Sequence, residues 1–195
     1  VLLAGLVGAS LSQAGAVYQG LFRNPLADPY LIGVSSGAGL GATLAIALGL
    51  SLGWGDLGAV SIFAFLGALI ATVSVYALSR AGGRTSVVTL LLAGVALGAF
   101  FTSIQTFLMF QGKDAFHAVH IVSWLMGSFT LSSWMKVGLL ASLFAVGGSA
   151  LWAFGHRLNV MQLDEEQAQQ LGIPVERTRL ILIGVASLVT ATAAW

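Results

Sequence analysis

The residues able to do chemistry are few, and most of them point away from catalysis. His117 and His120 stand three apart, a spacing that can put both on one helix face, where two imidazoles could ligate a metal or haem iron. The sequence has no cysteine, hence no thiolate metal site or cysteine nucleophile. The expectation is therefore a pair of interfacial histidines without a ligand, with His156 solvated at a membrane border. Gln13, Gln19 and Gln105 lie in long apolar runs. Polar side chains at membrane depth face the protein interior or a water-filled cavity, so each either bonds a neighbouring helix or lines a path. No Walker A pattern exists, since Lys113 and Lys136 are the only lysines and neither follows the required glycines. HExxH, GxSxG and paired intramembrane carboxylates are absent as well. No catalytic residue, metal or bound cofactor is expected.

Composition explains that poverty. Of 195 residues 57% are hydrophobic and 8% charged, against about 25% charged in soluble domains. A soluble fold of this size could not hide so much apolar surface. A soluble enzyme, a disordered chain and a nucleic-acid binder are excluded, and a net charge of +1 implies no polyanionic partner. The apolar runs are unbroken, whereas a transmembrane barrel would alternate apolar and polar residues. The expected class is an all-α, polytopic membrane bundle, read as one domain over 1–195. The 25 glycines suit closely packed membrane helices.

Charges mark the spans. A crossing needs roughly 20 mostly apolar residues. Runs near 1–22, 32–50, 57–79, 86–110 and 137–155 meet that, and 175–195 reads as a sixth. The run 115–135 has an apolar heart of only about 12 residues, roughly 18 Å as helix, too short to cross. With that run lying at the surface, Arg23, Arg80, Arg84, Arg157, Arg177 and Arg179 share one side, and Lys113 and Lys136 take the other. A crossing there would split the charges evenly, so the positive-inside rule favours the surface position, which Trp124 and Trp134 also fit. The arginine side is cytoplasmic, and 155–179 is its longest polar segment. Within the confident spans there is no Asp, Glu, Lys or Arg, which argues against a proton-coupled carrier or ion pump. Val1 is not an initiator methionine and no charged region precedes the first run, so a signal peptide is not expected. Both ends read as cuts through apolar helix, and the expectation is an internal stretch of a longer membrane protein.

Gly37 and Gly41, and Gly94 and Gly98, have the small-xxx-small spacing that lets helices approach. Two prolines, Pro25 and Pro29, interrupt the chain between the first two spans, where Asn24 and Asp28 can cap backbone. In the polar segment, Asp164 is a candidate N-cap with Gln167 three later. Glu165 and Glu166 suit a first turn, and Gly172 with Pro174 suits a stop. These predict a two-turn helix over 165–171, which needs something to pack against, in its own chain or in a partner.

Taken together, these stretches resemble the permease subunits of ABC importers for iron-siderophores, haem and cobalamin. The matching runs are Gln19-Gly-Leu-Phe-Arg-Asn-Pro-Leu-Ala-Asp-Pro29, Leu31-Ile-Gly-Val-Ser-Ser-Gly-Ala38, Leu90-Leu-Leu-Ala-Gly-Val-Ala-Leu-Gly98, Trp124-Leu-Met-Gly-Ser-Phe129 and 158–177. The resemblance implies a ten-span permease of the bacterial or archaeal plasma membrane, paired with a second permease copy. Two cytoplasmic ATPase subunits would hold the ATP and Mg, and an extracytoplasmic binding protein would deliver the cargo. In those terms Leu163, Asp164, Glu165, Glu166, Ala168, Gln169, Leu171 and Gly172 form the coupling element that docks on the ATPase. Gln19, Asn24, Pro25, Asp28 and Pro29, with Arg84, Thr85 and Ser86 by position, fall to the translocation path or its gate. The family's first span and most of its last four are missing from this stretch. A secondary carrier or channel, working without an ATPase, is the alternative.

Overall fold

The structure, a computed structural model, describes residues 1–50, 58–80, 86–111, 115–129 and 132–193; of residues 115–117 and 165 it describes the backbone alone. Every regular element among the described residues is helical: α1 (Leu2–Phe22), a 3-10 turn (Pro29–Ile32), α2 (Val34–Ala47), α3 (Ala59–Ser79), α4 (Val87–Phe110), α5 (Ala115–Leu125), α6 (Trp134–Ala153), α7 (Gly155–Leu163), α8 (Glu165–Gln170) and α9 (Val175–Ala193). The all-α bundle expected from composition is what forms.

Helices α3, α4 and α6 are long and apolar enough to cross a membrane. Helix α1 is as long as α3, but Gln13, Gln19 and its serines and glycines dilute it. Helix α9 carries Glu176, Arg177 and Arg179 near its start. Helix α5 has 11 residues, about 16 Å, and is too short to cross.

The second span departs from expectation. The sequence predicts one helix over 32–50, whereas α2 covers only Val34–Ala47 and a separate 3-10 turn precedes it. The cause is local. Asp28 caps the turn by accepting the Tyr30 N–H at 2.7 Å, and Pro29 occupies its first position. Gly33 then takes φ 75°, a left-handed conformation that only glycine adopts without strain, and so breaks the path between turn and helix.

Two packing modes hold the bundle. Helices α2 and α3 approach through glycine: a Cβ at Gly41 would overlap the Phe63 carbonyl, and one at Gly37 would come within 2.5 Å of the Gly67 carbonyl. Gly94 of α4 likewise lies against the Leu31 carbonyl. Gly98 is different, since its Cβ would sit 3.5 Å from Ser36 Oγ, an ordinary contact. The second mode is a polar seam. Helix α9 packs on α1 and α6 and reaches α2 and α3. Tyr18 Oη and Ser187 Oγ share a buried hydrogen bond of 2.7 Å, and Gln13 Nε2 donates to the Gly148 carbonyl of α6 at 2.9 Å. Gln13 thus bonds a neighbouring helix.

Interhelical hydrogen bonds in membranes average about 0.6 kcal/mol and reach about 1.7. Tyr18→Phe should therefore destabilise the protein by about 1 kcal/mol in a reversible detergent unfolding titration. A loss indistinguishable from zero would mean that the bond contributes nothing.

Candidate functional site

Two places concentrate the polar surface that the fold positions. The first is α7 and α8. The sequence predicts one short helix in this segment, and the structure has two. Helix α7 forms because Leu158 and Met161, three apart, share a buried face. That face meets Gly20 of α1, where a Cβ would lie 3.2 Å from Leu158. Arg23, just past α1, donates from Nη2 to the Met161 carbonyl at 2.6 Å. Arg157 lies 5.0 Å over the Phe154 ring, a cation–π contact at the start of α7.

Asp164 is extended, with φ −159°, and separates the two helices. Its Oδ1 accepts the Glu166 N–H at 3.1 Å, which caps α8. At the other end Gly172 takes φ 80°, its N–H donating to the Gln169 carbonyl and that of Ile173 to the Ala168 carbonyl. This is a Schellman stop, needing the left-handed residue that glycine supplies. Helix α8 ends at Gln170, one residue before the predicted end, with Leu171 as its cap. Ala168 is fully buried, within the chain's own core. The other two apolar members of the expected coupling element, Leu163 and Leu171, are 78% and 72% exposed. The outer surface of α8 is therefore polar, with Glu166, Gln167, Gln169 and Gln170 exposed and a leucine at each end.

The second place is an open concavity of about 380 Å³ between the 3-10 turn, α2, α4 and α5, with Tyr30, Gly33, Ser36, Gly98, Thr102 and Gln105 among its walls. Thr102 is already satisfied, donating to the Gly98 carbonyl at 2.9 Å. Gln105 and Gly98 were singled out in the sequence, whereas Ser36 and Thr102 were not. Thr102 lies four residues after Gly98 and three before Gln105, and that shared helix face was the available signal.

The other expected path residues lie elsewhere. Gln19 is exposed near the end of α1, and its carbonyl accepts the Asn24 N–H. Asn24 Oδ1 accepts the Leu26 N–H at 2.9 Å, so Asn24 and Asp28 both brace backbone. Pro25 is exposed, and Pro29 is buried at the start of the 3-10 turn. Ser86 caps α4 by accepting the Thr89 N–H at 3.1 Å. Arg84 and Thr85 lie outside the described residues. His120 is exposed on α5, and no cluster of three metal-ligating side chains occurs among the described residues.

The model of the FecCD transport family matches residues 1–195. The chain belongs to that family. Among FecCD relatives, the cobalamin import system permease protein BtuC of Halobacterium salinarum is 43% identical over 194 residues, covering 99% of this chain and 51% of that protein. A probable iron chelatin transport system permease protein of Helicobacter pylori is 41% identical over 191 residues, 95% of this chain and 55% of that one. The molybdate import system permease protein MolB of Haemophilus influenzae is 36% identical, with 98% and 55% covered. The chain thus spans about half the length of the curated relatives it matches. In fold it superposes with a TM-score of 0.83 and 34% identity on an inward-facing ABC transporter described as of metal-chelate type, covering 99% of this chain and 60% of that one. The PsaBC structure from Streptococcus pneumoniae, at TM-score 0.62 and 18% identity, shares the fold.

Proposed function

We propose that this chain works within a permease subunit that imports a bulky, chelated cargo across a bacterial or archaeal plasma membrane by ATP-driven alternating access. It pairs with a second permease copy, receives cargo from an extracytoplasmic binding protein, and is driven by two cytoplasmic ATPase subunits that hold the ATP and Mg. The lipid bilayer surrounds it, and no covalent step takes place in it.

The observation that carries this reading is the built surface of α8. A helix of six residues is marginal alone, yet this one is capped at both ends, anchored inward by Ala168, and presents exposed Leu163 and Leu171. Large exposed apolar residues rimmed by polar ones suit a protein contact, and an ATPase groove is the contact that the family likeness supplies. The open concavity, with Ser36, Thr102 and Gln105 set among apolar walls such as Leu31, Val95 and Leu125, suits loose passage of a large chelate. The cargo classes proposed for it are a ferric siderophore, haem or cobalamin.

The test is uptake of labelled ferric siderophore, haem, cobalamin and molybdate by the full-length permease reconstituted with its ATPase and binding protein. Uptake of at least one chelate, abolished when ATP is withheld, is expected. Uptake that persists without the ATPase subunits would sink the reading in favour of a carrier or channel.

A further inference from the structure

Arg23 joins two helix ends. Its backbone closes α1 in the left-handed region, at φ 50° and ψ 37°, with its N–H directed at the Gly20 carbonyl. Among the described residues it is the only non-glycine with positive φ. A side chain is disfavoured there, and glycine would sit without strain. The side chain, however, has a second partner, the Met161 carbonyl, 138 residues along the chain. Helix α7 ends at Leu163, so that carbonyl is among its last four, which lack partners within the helix. A cation also meets the negative end of the helix dipole there. Beyond Arg23, the turn braced by Asn24 and Asp28 leads directly to Tyr30 and Gly33, which wall the concavity. One side chain thus connects the helix leading into α8 with the rim of the concavity.

We propose that Arg23 is a positioning residue: it locks α7 to the end of α1, so that movement imposed on α8 reaches the 24–33 turn and reshapes the mouth of the concavity. This rests on the reading of α8 as the ATPase contact.

The test uses the full-length permease, rendered cysteine-free, with its ATPase in lipid nanodiscs. Spin labels at Leu26→Cys and Asn159→Cys read the distance across the tie. In a separate sample, maleimide labelling of Tyr30→Cys is compared with and without ATP and orthovanadate. With Arg23 present, the spin–spin distance should be narrow and insensitive to nucleotide, and labelling should change by about fivefold or more, the lower end of ordinary coupling. Arg23→Gly relieves the backbone, so a merely structural role predicts equal or better thermal stability and an unchanged response. The tie instead predicts a broadened distance and loss of the labelling response, with the ATPase still bound. Arg23→Lys, which can still donate to the carbonyl, should retain both signals. A narrow distance and intact response in Arg23→Gly would overturn the proposal, as would loss of the ATPase or of fold in that variant, or a Lys variant as uncoupled as the Gly one. An unresponsive Tyr30→Cys parent would count against the coupling reading instead, because the spin labels report the tie without it.

Discussion

Leu171→Arg should strip the ATPase from the full-length permease while leaving the permease itself folded. Leu171 is 72% exposed, so the substitution disturbs nothing in the chain's own packing. If a partner covers it, the arginine becomes a buried, unpaired charge. Such charges cost about 3–5 kcal/mol, enough to weaken the affinity by roughly two to four decades. Leu163→Arg should act alike, since Leu163 is also exposed at the other end of α8. Ala168→Arg makes the contrast: Ala168 is buried by its own chain, so that variant should lose thermal stability together with the ATPase. The measurement is a titration of ATPase onto purified permease, with the melting temperature followed in parallel. Wild-type affinity in both leucine variants would remove α8 from the interface.

The second large effect is expected within the membrane. Gly41→Ala should destabilise the permease by about 1–3 kcal/mol, the usual cost of overpacking, and Gly41→Leu should abolish folded protein. The obstacle is the Phe63 carbonyl, which is backbone and cannot rotate away, so α2 and α3 must part. Gly184→Ala is the control, because nothing lies within 4 Å of a Cβ there. Equal melting of the Gly41 and Gly184 alanine variants in detergent would mean that α2 and α3 do not meet so closely.

The contrast between those sites shows what a sequence exposes. Gly37, Gly41, Gly94 and Gly98 carry the same spacing, yet the first three lie hard against backbone or a small neighbour, while Gly98 has only an ordinary contact with Ser36. Spacing says which residues share a face; it does not say what faces them. Long spans are legible because charges end them: α3 and α4 start and stop within two residues of the charge-free runs that predict them, while α6 begins three residues before its run and takes in Lys136. The caps of α8 were legible too, since Asp164 and Gly172 act on backbone a few residues away. Helix α7 was not. Its sequence is polar, and what makes it helical is the shelf at Gly20, far away in the chain. In the sequence Arg23 is one more cytoplasmic charge, and its partner is a carbonyl that no pattern of residue types marks.

The place of α9 bears on how the protein is made. Tyr18 finds its partner Ser187 169 residues later, and Gln13 waits 135 residues for the Gly148 carbonyl. Chains emerge at about 5–20 residues per second, so several seconds separate the synthesis of α1 from that of the helix that completes its surroundings. During that interval a tyrosine hydroxyl and a glutamine amide sit in a helix whose permanent neighbours do not yet exist. An unpaired polar group in hydrocarbon is costly, so α1 has reason to linger beside the insertion machinery or at the headgroup layer rather than diffuse into lipid. Helix α9 is thus a late neighbour of α1: the polar contact of Tyr18 forms only once α9 has been made.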